Sequence, residues 1–251
     1  MLHKTEAIVI KSIDYGEAHK IVTLYTKDYG KLSVMARGAK RPKSRLSAVT
    51  QLFTYGLFLF FRQAKKSVGT LTQGERLQSF NQVRQDLIKM AYAAYFAELL
   101  DKLTDDDAKD PYLFQLLLVA FTQLDEGQDP ELLARLFELK MLIIGGYKPV
   151  VDRCVICAQT EGPFLFSITE GGFLCQRCHG HDPQALQVGL NTLKVIRLLY
   201  RLHPNRLGHV ELKPSTREEL KKVLWLFMDE HTPLRLKSRS FLEQMSHGWN
   251  D

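Results

Sequence analysis

The chain has 251 residues, 45% of them apolar and 25% charged, and it carries a formal net charge of +6. That length exceeds the usual single domain, so one large or two modest domains are expected. The longest apolar run, residues 52–61, is about half the ~20 residues that cross a bilayer, and residues 1–10 lack the charged-then-apolar order of a secretory signal. We expect a cytoplasmic protein that is not embedded in a membrane.

The positive charge is concentrated at the front of the chain. Residues 1–80 contain 9 Lys and 5 Arg against 2 Asp and 3 Glu, a net +9, so the remaining 171 residues sum to −3. Such asymmetry indicates a polyanion-binding front part and a rear part with another task. Composition alone does not decide between nucleic acid and a membrane surface as the polyanion.

About five short strands are predicted within residues 5–80. Apolar residues alternate through the stretches EAIVIKSI, KIVTLYTK and KLSVMAR, and Gly56 lies inside a later β-rich run at residues 48–62. A glycine in that position is typical of a bulge or a barrel bend. Closely spaced strands without an intervening helix favour a small antiparallel β-barrel or a sandwich.

Between two of these strands lies the sequence ARGAKRPKSRL, residues 36–46, in which Gly38 and Pro42 oppose regular structure. It holds five cations within nine positions: Arg37, Lys40, Arg41, Lys43 and Arg45. The loop either serves solubility alone or binds a polyanion, in which case each cation that reaches a phosphate releases counterions. Further candidate DNA-binding cations are Lys31, Arg62, Lys65 and Lys66.

Aromatic residues alternate with these cations along the sequence. Small barrels of this kind bind single strands by combining a basic groove with base stacking. Most of the aromatic side chains must fill the barrel itself. Tyr15 and Tyr29 are the candidates for stacking, because each precedes a glycine in a predicted turn.

Beyond residue 80 the apolar period changes to that of helices. Helices are predicted at residues 87–103, 113–124, 130–144, 192–202, 215–228 and 238–245. Asp129 is expected to cap the third helix, whose apolar residues surround it and so place it in the core. A Ser215-x-x-Glu218 capping box is expected to open the fifth. We therefore predict a strand domain at 1–80 and a helical domain at 81–251.

All four cysteines form two C-x-x-C pairs that are separated by 17 residues: Cys154, Cys157, Cys175 and Cys178. This spacing is typical of a tetrahedral zinc site, and four thiolates leave no position for a catalytic water, so one structural Zn²⁺ is predicted in a segment at 152–182. The spacer is expected to form a hairpin with its turn at Gly171-Gly172. Disulfides or a redox dithiol are the competing interpretations. His179 and His181 are either substitute ligands or exposed loop residues.

The sequence predicts no enzyme. It contains no phosphate-binding G-x-x-x-x-G-K-[ST] motif, no G-x-G-x-x-G motif after a strand and no serine in a nucleophile elbow. Six acidic residues cluster within residues 98–110, but their spacing fits no cage for a divalent ion, so a solvated helix end and loop are expected.

Several stretches resemble the RecO family of bacterial recombination proteins. The most specific are YGE at residues 15–17 and ARGAKRPKSR at residues 36–45, within an opening that resembles the family from residue 5 onward. The similarity continues through residues 77–80 and through GYKPVVDRCVIC to the second cysteine pair. It therefore covers essentially the whole chain.

The resemblance implies an N-terminal OB-fold, followed by a helical domain with a zinc-bearing insertion. Members of this family bind single- and double-stranded DNA, anneal complementary strands and help to load RecA onto strands covered by single-strand-binding protein (SSB). They work with RecR and, in many bacteria, RecF, and they contact the acidic C-terminal tail of SSB. They need no nucleotide and are not enzymes. The implied role is recombinational repair at the nucleoid.

An SSB tail ends in acidic residues and a phenylalanine, so its binding site needs cations beside an apolar groove. The candidate cations are Arg197, Arg201, Arg235, Lys237 and Arg239. Each can also be a surface cation whose stem covers the helical core. Two other classes of protein stay open on the residues alone: an RNA-binding factor with an OB barrel and a zinc ribbon, and a zinc-stabilised adaptor for an acidic protein.

Overall fold

The computed structural model describes residues 1–63, 67–208 and 210–248, with no side-chain description at 246–248. Two compact units are present. The first contains Met1–Gln128 together with the segment that begins at Leu236, and the second is Asp129–Arg235. The change from strands to helices falls at residue 80, within the first unit.

The first unit begins with a closed barrel of five strands in the order β1-β2-β3-β5-β4. The strands are β1 (Leu2–Tyr15), β2 (His19–Thr26), β3 (Gly30–Ala36), β4 (Tyr55–Phe61) and β5 (Val68–Gln78). Neighbouring strands are antiparallel except for β3 and β5, which are parallel. This arrangement confirms the predicted OB-type barrel.

The barrel core consists of the side chains that point inward from each strand, such as Val9, Val22, Val34 and Phe58, which are fully buried. At Gly56 the register between β4 and β5 shifts, which confirms the expected bulge. A Cβ atom at this position would lie 2.5 Å from the backbone oxygen of Glu75, so only glycine allows the two strands to approach this closely.

The sequence after the cation run was predicted to be β-rich from residue 48, and that prediction is wrong for its first part. The run leads into a short helix, α1 (Arg45–Val49), and β4 begins only at Tyr55. The Ser44 side chain caps α1 by accepting a hydrogen bond from the Leu46 N–H. Leu46 and Val49 then pack on the barrel core, so burial of a helical face outweighs the local β-propensity.

The first unit is completed by α2 (Asn81–Gln85), α3 (Leu87–Leu103), α4 (Pro111–Asp125) and α8 (Lys237–Gly248). Aspartates cap two of these helices: Asp86 accepts hydrogen bonds from the first turn of α3, and Asp110 does so for α4. The carboxylate of Glu98 accepts the backbone N–H groups of Lys237 (3.1 Å) and Ser238 (2.8 Å), which attaches the start of α8 to α3.

The second unit comprises α5 (Pro130–Ile144), the hairpin β6 (Phe164–Ser167) and β7 (Gly172–Cys175), α6 (Leu190–Arg201) and α7 (Pro214–His231). Every residue from Leu132 to Leu142 is buried, which confirms α5 as the central helix, and Asp129 caps it as predicted. The capping-box prediction for α7 is wrong. This helix begins one residue earlier, at Pro214, because proline is favoured at the first helical position.

Among the helices of the described residues, none is both long and apolar enough to cross a membrane.

Candidate nucleic-acid interface and metal centre

The cation run is a folded loop that is attached to the β1–β2 hairpin. The Gly38 N–H donates to Nδ1 of His19 (3.0 Å), and the Lys40 N–H donates to the backbone oxygen of Ala18 (3.0 Å). The Lys40 ammonium also lies 2.7 Å from the Asp14 carboxylate, and this hydrogen bond lowers the pKa of Asp14. The hairpin thus fixes the position of the loop.

Bonds within the loop define its conformation further. The Arg41 N–H donates to the Gly38 oxygen (3.0 Å) and the Ser44 N–H donates to the Arg41 oxygen (3.1 Å). Lys43 has a φ of 61°, in the left-handed region that lysine seldom adopts. All five cations of the loop are exposed. A single loop conformation therefore presents a dense positive surface to solvent.

Of the two candidate stacking residues, the structure brings only Tyr15 to this surface. Tyr15 ends β1 with 54% of its surface exposed. It borders a groove of about 460 Å³ whose lining residues are Tyr15, His19, Met35, Arg37, Val68, Gly69 and Thr70. Tyr29 instead packs edge-on against His3 and Phe60, with ring centroids at 5.0 and 6.0 Å, and belongs to the barrel wall.

Lys31 is placed away from the loop and is 9% exposed. Its ammonium donates to the backbone oxygens of Asp101 (2.6 Å) and Thr104 (2.8 Å) and pairs with the Asp101 carboxylate at 3.1 Å. These contacts account for its three N–H donors. Its geometry is that of a structural cation, and we leave it out of the proposed DNA-binding surface.

Arg62 is engaged in a similar way. Its guanidinium makes two hydrogen bonds to the Asp107 carboxylate, one of them 2.9 Å long, and this pairing raises the pKa of Arg62. We leave Arg62 out of the surface for the same reason. The predicted contacts at Lys65 and Lys66 lie outside the described residues.

The acidic stretch at 98–110 was expected to be a solvated helix end and loop. Residues 105–109 are exposed, as expected, but several carboxylates of the stretch also make ion pairs or cap helices. Asp101, Asp106 and Asp107 pair with the cations just described, while Glu98 and Asp110 cap helices. Sequence reasoning missed this pairing. The only sequence signal for it was that the acidic residues 98–110 follow a strand domain with an excess of Lys and Arg. The stretch lies at the end of the barrel that carries the β2–β3 turn, opposite to the basic loop.

A substitution at Lys31 tests its structural role. Lys31→Met retains the apolar stem but leaves Asp101 and two carbonyls without their donor, so we expect the free energy of unfolding to fall by about 2–4 kcal/mol. Lys27→Met, which removes an exposed pair with Glu6, is the control and should cost less than about 1 kcal/mol. Urea titration measures both. Unchanged stability combined with weaker DNA binding would instead assign Lys31 to the DNA surface.

The four cysteines converge on one point. Their sulfur atoms all lie within 4.8 Å of one another, and those of Cys157 and Cys175 are 3.6 Å apart. All four are free thiols, so the disulfide alternative does not apply. A tetrahedral Zn²⁺ with bonds of ~2.3 Å requires sulfur atoms about 3.8 Å apart. The donor set and its spacing therefore suit one metal ion.

Backbone donors prepare the cluster for a cation. Burial tends to raise the pKa of the Cys154 thiol, but the N–H groups of Cys157, Cys175 and Ile156 outweigh it and lower the pKa to about 6. The pKa of Cys178 is raised to about 12 by burial and by its sulfur neighbours. Four thiolates cannot coexist this closely without a cation, and a divalent ion would supply that charge.

The predicted hairpin leads into the second cysteine pair, and the first pair is attached to it by the Val155 N–H, which donates to the Phe173 oxygen (2.7 Å). Strands β6 and β7 flank a turn in which Gly171 has a φ of 78°. Residue Val150 bridges to Gly172 on the other edge of β7, where a Cβ atom would lie 2.2 Å from the Val150 oxygen. His179 and His181 are exposed and stand outside the cluster, as the simpler interpretation expects.

A cationic concavity of about 400 Å³ lies beside this segment in the second unit. It is lined by Lys148, Pro149, Val150, Val151, Asp152, Arg153, Arg197, Tyr200 and Arg201. Arg197 has a structural contact here, because its Nε donates to the Val151 oxygen (2.8 Å) and its guanidinium lies 4.9 Å from the centroid of Phe173. Arg201 is exposed.

The remaining tail candidates do not line this concavity. Arg235 is exposed and closes the second unit, whereas Lys237 and Arg239 belong to the first. Arg239 pairs with Glu243 at 3.7 Å, one turn along α8.

An OB-type barrel with a basic loop, followed by helices and a four-cysteine module, defines a class of nucleic-acid-associated proteins. Comparison with known proteins narrows this class. Residues 1–80 match the family model for the N terminus of recombination protein O, and residues 84–240 match the model for its C terminus.

Individual relatives support the same family assignment. The chain is 50% identical to the DNA repair protein RecO of Halalkalibacterium halodurans, covering 100% of this chain and 98% of that protein. Identity is 46% to the protein of the same name from Bacillus subtilis and 44% to that from Listeria monocytogenes, each over 95% of the relative. The chain therefore belongs to the RecO family of DNA repair proteins, as the resemblance of its sequence indicated.

Proposed function

We propose that this protein is a recombination mediator that binds DNA, anneals complementary strands and assists RecA loading onto SSB-coated single strands. One observation carries the proposal: five exposed cations lie on a loop that the β1–β2 hairpin holds in one conformation. A solubilising loop needs no such attachment. A phosphate-binding surface gains from it, because less side-chain and backbone freedom is lost when the strand binds.

The loop is the proposed DNA-binding site, within residues 1–80 as the DNA-binding domain. Arg37, Arg41 and Arg45 offer planar guanidinium groups, which suit phosphate oxygens. Lys40 contributes less net charge because Asp14 pairs with it. Lys31 and Arg62, by contrast, are paired with aspartates, so a strand is attracted chiefly to the loop.

Annealing follows from the same charges. Two complementary strands repel through their phosphates, and a concentrated cation surface that holds both backbones reduces this repulsion while the base edges stay free to pair. No covalent step is involved, so the mechanism needs neither a catalytic residue nor a nucleotide. The protein would act on chromosomal DNA, at the nucleoid in the cytoplasm.

The four cysteines are proposed to hold one structural Zn²⁺. The ion would neutralise the thiolates of Cys154, Cys157, Cys175 and Cys178 and would hold the two C-x-x-C pairs together. Because all four ligands come from protein, its contribution is to folding.

The concavity beside the zinc segment is the proposed site for the acidic tail of SSB. It combines three exposed cations, Lys148, Arg153 and Arg201, and one exposed carboxylate, Asp152, with the apolar side chains of residues 149–151. This is the mixture that an acidic peptide with an aromatic end requires. Contacts with RecR and, where present, RecF are further proposed partnerships that the family membership supports.

A charge reversal at the concavity tests the tail site. We expect Arg201→Glu to weaken binding of a fluorescent acidic peptide with a C-terminal phenylalanine by about fivefold or more, because it introduces a like charge into the site. Lys222→Glu, at an exposed position outside the concavity, should change the affinity little. If both variants weaken peptide binding equally, the peptide responds only to the net charge of the protein and the concavity is not its binding site.

Annealing of two labelled complementary oligonucleotides tests the function. We expect the intact protein to accelerate pairing of the strands and to bind single-stranded DNA with strong salt dependence. The alternative, an RNA-binding factor, predicts equal or tighter binding to structured RNA without annealing. That outcome would overturn the mediator assignment.

A further inference from the structure

The outer face of the barrel beside the basic loop presents a mostly apolar row of side chains. Paired residues of neighbouring strands point to the same face of a sheet. Val22 and Val34 of β2 and β3 point into the core, so the residues next to them in sequence point outward. The outward row across β1, β2, β3 and β5 is Ile13, Ile21, Met35 and Thr70.

Tyr15 and His19 pair in the adjacent row, at the open end of this face. With Arg37 and the start of β5 they enclose the groove of about 460 Å³, which is in the ~300–1,000 Å³ range of pockets that hold small molecules. Ile13, Tyr15 and Val68 are 49%, 54% and 37% exposed. The groove thus brings together the Tyr15 ring, the apolar side chain of Met35 and the cation of Arg37.

The groove also has a fixed polar group. Nδ1 of His19 accepts the Gly38 N–H, so the neutral ring carries its hydrogen on Nε2. His19 therefore offers a donor in this wall, while the position of the Arg37-bearing loop depends on the same imidazole. Tyr15 thus presents an exposed ring in the same groove as the loop cation Arg37.

We propose that this groove receives one unpaired nucleobase, stacked on the Tyr15 ring, with an adjoining phosphate on Arg37. A base in a duplex is already stacked and paired and cannot enter, so Tyr15 determines a preference for single strands. Loop cations alone hold phosphates of either form. This inference rests on the proposed DNA-binding function and specifies how the same surface distinguishes its substrates.

Oligonucleotides of equal length and charge, one with bases and one abasic over its central nucleotides, separate stacking from phosphate binding. We expect the intact protein to prefer the base-containing strand, and Tyr15→Ala to weaken binding of that strand about 5- to 150-fold. The affinity of Tyr15→Ala for the abasic strand and for duplex DNA should stay within about twofold of that of the intact protein. Tyr15→Phe and Tyr15→Trp should restore the preference. With Tyr15→Trp, the base-containing strand should quench the introduced indole more than the abasic strand does.

Tyr112→Ala is the matched control, since Tyr112 is 42% exposed but lies on α4. Equal losses for all three DNA forms, or no rescue by Tyr15→Phe, would overturn the inference by showing a structural role. An unaltered preference in Tyr15→Ala would overturn it while leaving the proposed function intact. If the intact protein binds none of the DNA forms, the proposed function itself fails, and the stacking site with it.

Discussion

A variant neutralised at four loop positions is expected to bind single-stranded DNA at least ~10-fold more weakly at physiological salt and to lose most of its salt dependence. The changes are Arg37→Gln, Arg41→Gln, Lys43→Asn and Arg45→Gln. Asparagine is chosen at position 43 because it tolerates the left-handed backbone found there. Each lost phosphate contact lowers the slope of log K against log salt by about 0.7 for single strands, or about 3 for four contacts.

The control must remove the same charge elsewhere. Exposed lysines outside the barrel serve this purpose: Lys102→Gln, Lys194→Gln, Lys213→Gln and Lys222→Gln. If binding depends on net charge alone, both variants will weaken equally. A loop-specific loss, with unchanged thermal unfolding, is the result that the structure leads us to expect.

Removal of one buried thiol is expected to have the largest effect on stability. Cys154→Ser should abolish binding of one Zn²⁺ per chain and unfold or strongly destabilise residues 150–182, because metal binding supplies on the order of 10 kcal/mol in isolated zinc modules. Cys154 is 1% exposed and accepts the Cys175 N–H. A shift in melting temperature and metal analysis of the purified protein report both effects.

Exposed histidines next to the second pair provide the control. His179→Ala and His181→Ala should retain full metal content, since neither residue belongs to the sulfur cluster. Co²⁺ substitution should give sulfur-to-metal absorption bands in the intact protein. Acidification should release the ion, because the thiolates that bind it take up protons as the pH falls. Full metal content in Cys154→Ser would show that the cysteines do not form the site.

The predictions from sequence succeeded where a local pattern dictates structure. The alternating apolar residues predicted the strands of the barrel, and Gly56 predicted its bulge. Asp129 predicted the start of α5, and the cysteine spacing predicted a cluster with metal-binding geometry. Each depends on residues that are close in sequence or on a strict period. The helix α1 was missed, although Ser44 is a suitable N-cap, because the packing of Leu46 and Val49 on the barrel is a long-range contact.

The assignment of individual cations could not be made in the same way. Lys31 and Lys43 are the same residue type in the same basic region, yet the Lys31 ammonium binds the end of α3, 70 residues away in sequence. Tyr15 and Tyr29 each precede a turn glycine, but only the register of β1 and β2 leaves Tyr15 outside the core. Long-range pairing decides which charges and rings remain available to a ligand.

The most direct test follows annealing of two complementary oligonucleotides, one of them coated with SSB. It compares the intact protein with the four-position loop variant and its charge-matched control. We predict that the intact protein and the control accelerate pairing and that the loop variant, still folded, does not. Equal annealing by all three would contradict the assignment of the DNA-binding surface, and annealing by none would contradict the mediator function.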